Sequence, residues 1–143
     1  MKRAFVFALL TFSTLALAQA PQLMSGATVY IEQTENGFES YLVASMMEYK
    51  VPLVVVAHKD KAEYIITSNV QQTQQAGGGV IGSILGGSAT PSTYLEVSAA
   101  ISVIDARTSE IAIAFSTSNQ YSIMYAAQDC AWKLSKFMKK QKK

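Results

Sequence analysis

Two stretches of this chain have residue types and spacing that could do chemistry at a surface. In the first, Gly78, Gly82 and Gly86 recur at every fourth position, with Ile81, Ile84 and Leu85 among them. On a helix this spacing forms a smooth strip against which a second helix packs closely, in lipid or against a copy of itself. The bland alternative is a flexible linker, because glycine disfavours helix in water. The apolar residues here are also too few to cross a bilayer unaided. A phosphate loop would end in Gly-Lys-Ser/Thr, and this stretch holds no charge. A dinucleotide fingerprint needs a helix after it, and here a strand pattern follows. The second stretch is the lysine-rich end: Lys136, Lys139, Lys140, Lys142 and Lys143. Such a tail attracts anionic lipid or an acidic partner. Its plain alternatives are a solvated helix end and attraction to the rest of the chain.

No catalytic constellation emerges from the remaining reactive residues. His58 is the sole histidine and Cys130 the sole cysteine, so neither can complete a transition-metal site with others of its kind. Cys130 falls on an apolar helix face, which suits a buried structural thiol, with an interchain disulfide as the alternative. Asp60, Asp105 and Glu110 fall in turn patterns without an acid–base partner. The expectation is therefore no catalytic site, no metal and no cofactor, and a protein that is not an enzyme.

The start of the chain reads as an export signal. Lys2 and Arg3 precede an apolar run, residues 4–17, too short to span a bilayer comfortably. Ala16 and Ala18 fit a small-x-small cleavage rule, so cleavage is expected near Ala18, and no cysteine follows for lipid attachment. An uncleaved anchor helix is the alternative. This predicts a periplasmic or secreted protein, with residues 1–18 as signal and 19–143 as one domain. The domain would carry a glycine-rich insertion at 73–92 and the lysine tail. The net charge of +2 hides an asymmetry, because once Lys2 and Arg3 are set aside the body is acidic and the tail basic. An acidic body argues against nucleic acid as a partner.

The elements that would hold these stretches follow from periodicity. Residues 94–103 alternate, with Leu95, Val97, Ala99, Ile101 and Val103 on one face of a half-buried strand. Residues 105–109 form a turn, and Ile111, Ile113 and Phe115 face the same way on the next strand. Earlier, residues 27–33 read as a short strand with Val29 and Ile31 on one face. A helix follows from Phe38 to about Lys50, capped by Asn36 with Glu39 in a capping box, and with Phe38, Tyr41, Leu42, Met46 and Tyr49 on its apolar face. The apolar, β-branched residues 51–57 read as a strand buried on both faces, giving a right-handed parallel crossover. Residues 58–63 form a polar break and 64–72 a further strand. The last helix places Ala127, Cys130, Ala131, Leu134 and Met138 on one face. The fold class predicted is α/β in the α+β two-layer sense, a mixed sheet of about five strands with two helices on one face. The strands from Tyr64 onward should form an antiparallel meander.

Two stretches carry a family likeness. Residues 63–70, with Glu63, Tyr64, Ile65 and Ile66 leading, resemble a strand of exported proteins related to the amino-terminal domain of the Tol translocation β-propeller protein and to the curli secretion channel family. The hairpin at residues 97–113, with Asp105, Thr108, Ser109, Glu110 and Ile111, is similar to theirs. Here Glu63 replaces the usual Asp, Asn69 stands near an expected Gly, and Ser109 replaces the turn Gly. The resemblance implies a non-catalytic envelope module for binding or assembly, with an envelope protein or a second copy as partner and peripheral membrane contact. The alternative is a membrane-active or self-oligomerising protein built on the glycine strip.

Overall fold

The computed structural model describes residues 22–77, 92–119 and 121–141. The expected signal segment, the residues Gly78, Ile81, Gly82, Ile84, Leu85 and Gly86, and Lys142 and Lys143 lie outside them. The elements run β1 (Thr28–Ile31), α1 (Phe38–Glu48), β2 (Val54–Val55), a 3-10 turn (Lys59–Lys61), β3 (Tyr64–Gly77), β4 (Ser92–Asp105), β5 (Ile111–Asn119) and α2 (Ile123–Gln141). One mixed sheet has the order β2-β1-β3-β4-β5. β1 is parallel to both neighbours, and β3, β4 and β5 form the expected antiparallel meander.

One face of the sheet carries the core. Val29, Ile31, Ile66, Val97, Ala99, Ile101 and Val103 are buried there with Phe38, Leu42 and Met46 of α1 and Ala127, Cys130, Ala131, Leu134 and Met138 of α2. Side chains alternate across a strand, so the same period that buries Val97, Ala99, Ile101 and Val103 sends their neighbours to the opposite face. The two helices also touch each other. Ser135 Oγ of α2 donates to the Tyr49 carbonyl beyond the end of α1, at 3.3 Å.

Several local expectations are corrected. Residues 51–57 are not a strand buried on both faces. Only Val54–Val55 is strand, and these two are 52% and 38% exposed because β2 pairs with β1 alone at the edge of the sheet. Val51 is buried without being a strand residue. The N-cap residue of α1 is Gly37 rather than Asn36, and Thr34, three residues earlier, supplies the side-chain bonds. Thr34 Oγ1 accepts the Phe38 N–H at 3.0 Å, and Glu39 Oε2 reaches back to accept from the Thr34 N–H and hydroxyl at 3.1 and 2.7 Å. These bonds, that from the Thr34 hydroxyl foremost, hold the Glu39 carboxyl below its ordinary range. The bonding is reciprocal, as in a capping box, but it starts from Thr34, because the N-cap Gly37, at φ 71°, turns the chain into the helix. α1 ends at Glu48, Lys50 takes a left-handed φ of 50°, and Tyr41 is 45% exposed instead of sharing the core face. β3 runs on to Gly77, past the expected end at residue 72.

Ile111 does not face the core. The β4–β5 register shifts between Val103 and Ile104, so that Val103 pairs with Ile113 and Ile104 with Ile111. A bulge adds a residue to one strand and reverses the faces beyond it. Ile111 is left 60% exposed, while Ile113 and Phe115 still pack on the core.

The turn before β5 is built by Asp105. Its Oδ1 accepts the N–H groups of Arg107 and Thr108 at 2.8 and 3.1 Å, and these bonds, that from Thr108 foremost, hold the carboxyl below its usual range. Ser109 then adopts φ 61°, a left-handed conformation that crowds an L side chain by about 1 kcal/mol or more. Glycine escapes that crowding but loses more chain entropy on folding. Ser109→Gly should therefore raise the unfolding free energy by about 0.5 kcal/mol, and Ser109→Val should lower it by more than about 1 kcal/mol. Urea midpoints of the two variants check this, and equal midpoints would refute it.

Candidate functional site

The sheet face opposite the helices is uncovered. Three registered rows cross β3, β4 and β5 on it: Thr67, Ser102 and Ala114; Asn69, Ala100 and Ser116; Gln71, Ser98 and Ser118. All nine are exposed or half-buried. The strands bring these residues together because each row is one rung of the meander, with the alternate residue on every strand turned away from the core. A shallow groove of about 610 Å³ runs along the upper rows, lined by Asn69, Gln71, Ser98, Ala100, Ser116 and Ser118 among others. Lys133 of α2 also borders it, and its Nζ donates to the Ser116 carbonyl of β5, the edge strand. Nearby, Thr117 Oγ1 donates to Asp129 Oδ2 of α2 at 3.1 Å. The face offers hydroxyl and amide groups at close spacing, which donate and accept hydrogen bonds.

The reactive residues singled out in the sequence are scattered. His58 is exposed and precedes the Lys59–Lys61 turn. Cys130 is fully buried on α2, and burial pushes its thiol up to about 12, so it stays protonated at neutral pH. Among the described residues no three of His, Cys, Asp and Glu come together as a metal site would need. Lys59 Nζ pairs with Glu32 Oε1 at 2.8 Å on the surface. Among the described residues, no helix is long and apolar enough to cross a membrane.

Of the lysine tail, Lys136, Lys139 and Lys140 are placed, all exposed on α2. They share that helix with aromatic residues that periodicity alone did not single out. Tyr121, just before α2, is 73% exposed, Tyr125 48% and Trp132 44%. The rings of Tyr121 and Tyr125 lie 5.3 Å apart, and Lys136 Nζ sits 3.8 Å from the Trp132 ring centroid. A helical wheel would have found them, because positions 121, 125 and 132 avoid the buried stripe and are apolar nonetheless.

No family model matches the chain, and no curated protein is similar to it in sequence. Solved structures are similar in fold. PelC from Paraburkholderia phytofirmans, determined as a dodecamer, has a TM-score of 0.50 at 14% identity, over 81% of this chain and 91% of that one. A minor lipoprotein from Acinetobacter baumannii has a TM-score of 0.51 at 10% identity, covering 81% of this chain and 94% of its own. Lipoprotein B from Nitrosomonas europaea gives 0.51 at 16% identity, covering 83% and 86%. These likenesses do not single out the Tol propeller domain or the curli channel family. What the chain shares with PelC and the two lipoproteins is their α+β fold.

Proposed function

We propose that this chain is a non-catalytic module of the bacterial envelope, exported to the periplasm or cell exterior, that binds or assembles through the open face of its sheet. The observation that carries the reading is that face itself, with its three rows of small hydroxyl, amide and methyl side chains on paired strands. Such a face is flat enough for a second surface to approach closely, and its polar groups suit partner hydrogen bonds as well as water. Its serines have no histidine beside them to activate a hydroxyl, and the lysine at its border is already bonded to backbone. The fold shared with two lipoproteins and with PelC supports an envelope role. The dodecamer formed by PelC makes a second copy of this chain the first partner to test.

The test places a photocrosslinking residue at Ser98 or Ser116 of the exported protein in living cells. Discrete adducts are expected. Ala100→Arg, which sets a long cation in the middle row, should abolish them while leaving the circular dichroism spectrum unchanged. If Ala100→Arg keeps the adducts and Gly82→Leu removes them, assembly runs through the glycine strip and the open-face reading fails. Adducts absent throughout, together with a hydrolytic activity in a broad substrate screen, would defeat the module reading altogether.

A further inference from the structure

The outer flank of α2 carries a second surface, independent of the open sheet face. The helix buries one side completely, through Ala126, Ala127, Cys130, Ala131, Leu134 and Met138. Its other side places Tyr125, Trp132, Lys136 and Lys139 in one line, because seven residues make about two turns and four about one. Tyr121 extends that line at the amino-terminal end, and Met124 and Lys140 flank it at either end. The surface is thus aromatic at one end and cationic at the other. Asp129 is the only acid in α2, and its carboxylate is occupied by the Thr117 hydroxyl of β5. Lys133 is likewise turned to β5. The charge this flank presents is therefore positive.

We infer that this flank of α2 rests on an anionic lipid surface, with Tyr121, Tyr125 and Trp132 at headgroup depth and Lys136, Lys139 and Lys140 against the phosphates. Tyr and Trp have an apolar body and a polar tip, and they concentrate where hydrocarbon meets water. Lysine stems lie along apolar surface while the ammonium reaches out to anions. A protein partner fits less well, because protein interfaces are depleted in lysine and favour arginine, and α2 contains no arginine. The helix would lie on the membrane rather than cross it, as interfacial helices do.

Trp132 is the only tryptophan in the chain, so its emission reports this flank and nothing else. The processed, exported protein is mixed with vesicles of equimolar phosphatidylcholine and phosphatidylglycerol, and separately with phosphatidylcholine alone. Binding to the anionic vesicles is expected, with a blue-shifted Trp132 emission quenched by brominated acyl chains and a partition that falls as salt rises. Replacing Lys136, Lys139 and Lys140 together by Gln should weaken binding by roughly a hundredfold. Tyr125→Ser, whose site is exposed, should weaken it too, read by flotation, whereas Ala100→Arg on the opposite face should not. The inference is overturned if the anionic vesicles are not bound, or if binding leaves the Trp132 emission unchanged. It also fails if dextran sulfate, a soluble polyanion, shifts that emission while vesicles do not, which would assign the flank to an acidic polymer.

Discussion

Ile101→Asp should unfold the protein, and Ala100→Asp, one residue away, should leave it folded. Ile101 is 1% exposed in the middle of β4, between Ser68 of β3 and Phe115 of β5. Losing a buried isoleucine costs about 2–5 kcal/mol. The carboxylate that replaces it would sit on the core face without a counter-charge, or else be forced to take up a proton. The combined loss is about 4 kcal/mol or more, comparable to the whole stability of an ordinary domain. Ala100 points to the open face and is exposed, so an aspartate there meets water. Far-ultraviolet circular dichroism and a thermal melt of both variants make the comparison. A folded, cooperatively melting Ile101→Asp protein would show that the two faces have been assigned the wrong way round.

Phe38→Ala should lower the unfolding free energy by about 3–5 kcal/mol. Phe38 is the bulkiest of the fully buried side chains and the first residue of α1. Its position is fixed from two sides. The ring belongs to the same buried cluster as Leu42, Ile66 and Leu134, and its N–H is bound to Thr34 Oγ1. With its backbone so held, the helix cannot slide inward to close the gap that alanine leaves, and an unfilled cavity adds to the cost. Denaturant unfolding should show a lowered midpoint at unchanged slope. A shift under about 1 kcal/mol would mean that the core relaxes around the lost ring.

The sequence carried the alternation of β4 and the buried stripe of α2 plainly, because each is a local period with one wet side and one dry side. Its failures share a physical origin. The valines of residues 51–57 look like a central strand, yet hydrophobicity alone cannot say whether a strand has one neighbour or two, and β2 has one. Ile111 matched the period of Ile113 and Phe115, but a single-residue bulge reverses faces without leaving any mark on composition. Asn36 and Glu39 had the right spacing for a capping box, but the N-cap is the left-handed Gly37, and Thr34 supplies the side-chain bonds instead. Ser109 was different, because its divergence from an expected glycine pointed to the position of the β4–β5 turn whose φ is left-handed. The open sheet face was hidden for a further reason. It is defined by what fails to cover it, which only the assembled layers reveal.

The parallel placement of β1 between β2 and β3 also orders events in time. A chain emerges from synthesis amino end first, so Thr28–Ile31 is available long before Tyr64–Ile66, one of its two partners. The hairpin of β4 and β5 closes a short loop, with Ile104 opposite Ile111, and such local closures are fast. Assembly therefore does not follow the order of emergence. The last strands to appear close only a short loop, whereas Val29 and Ile31 must find Tyr64 and Ile66 across a long stretch of chain that has already emerged. The interval before they do, with a bare apolar strand at the leading end, is when the nascent chain is most open to mispairing and when a chaperone in its compartment would have the most to protect.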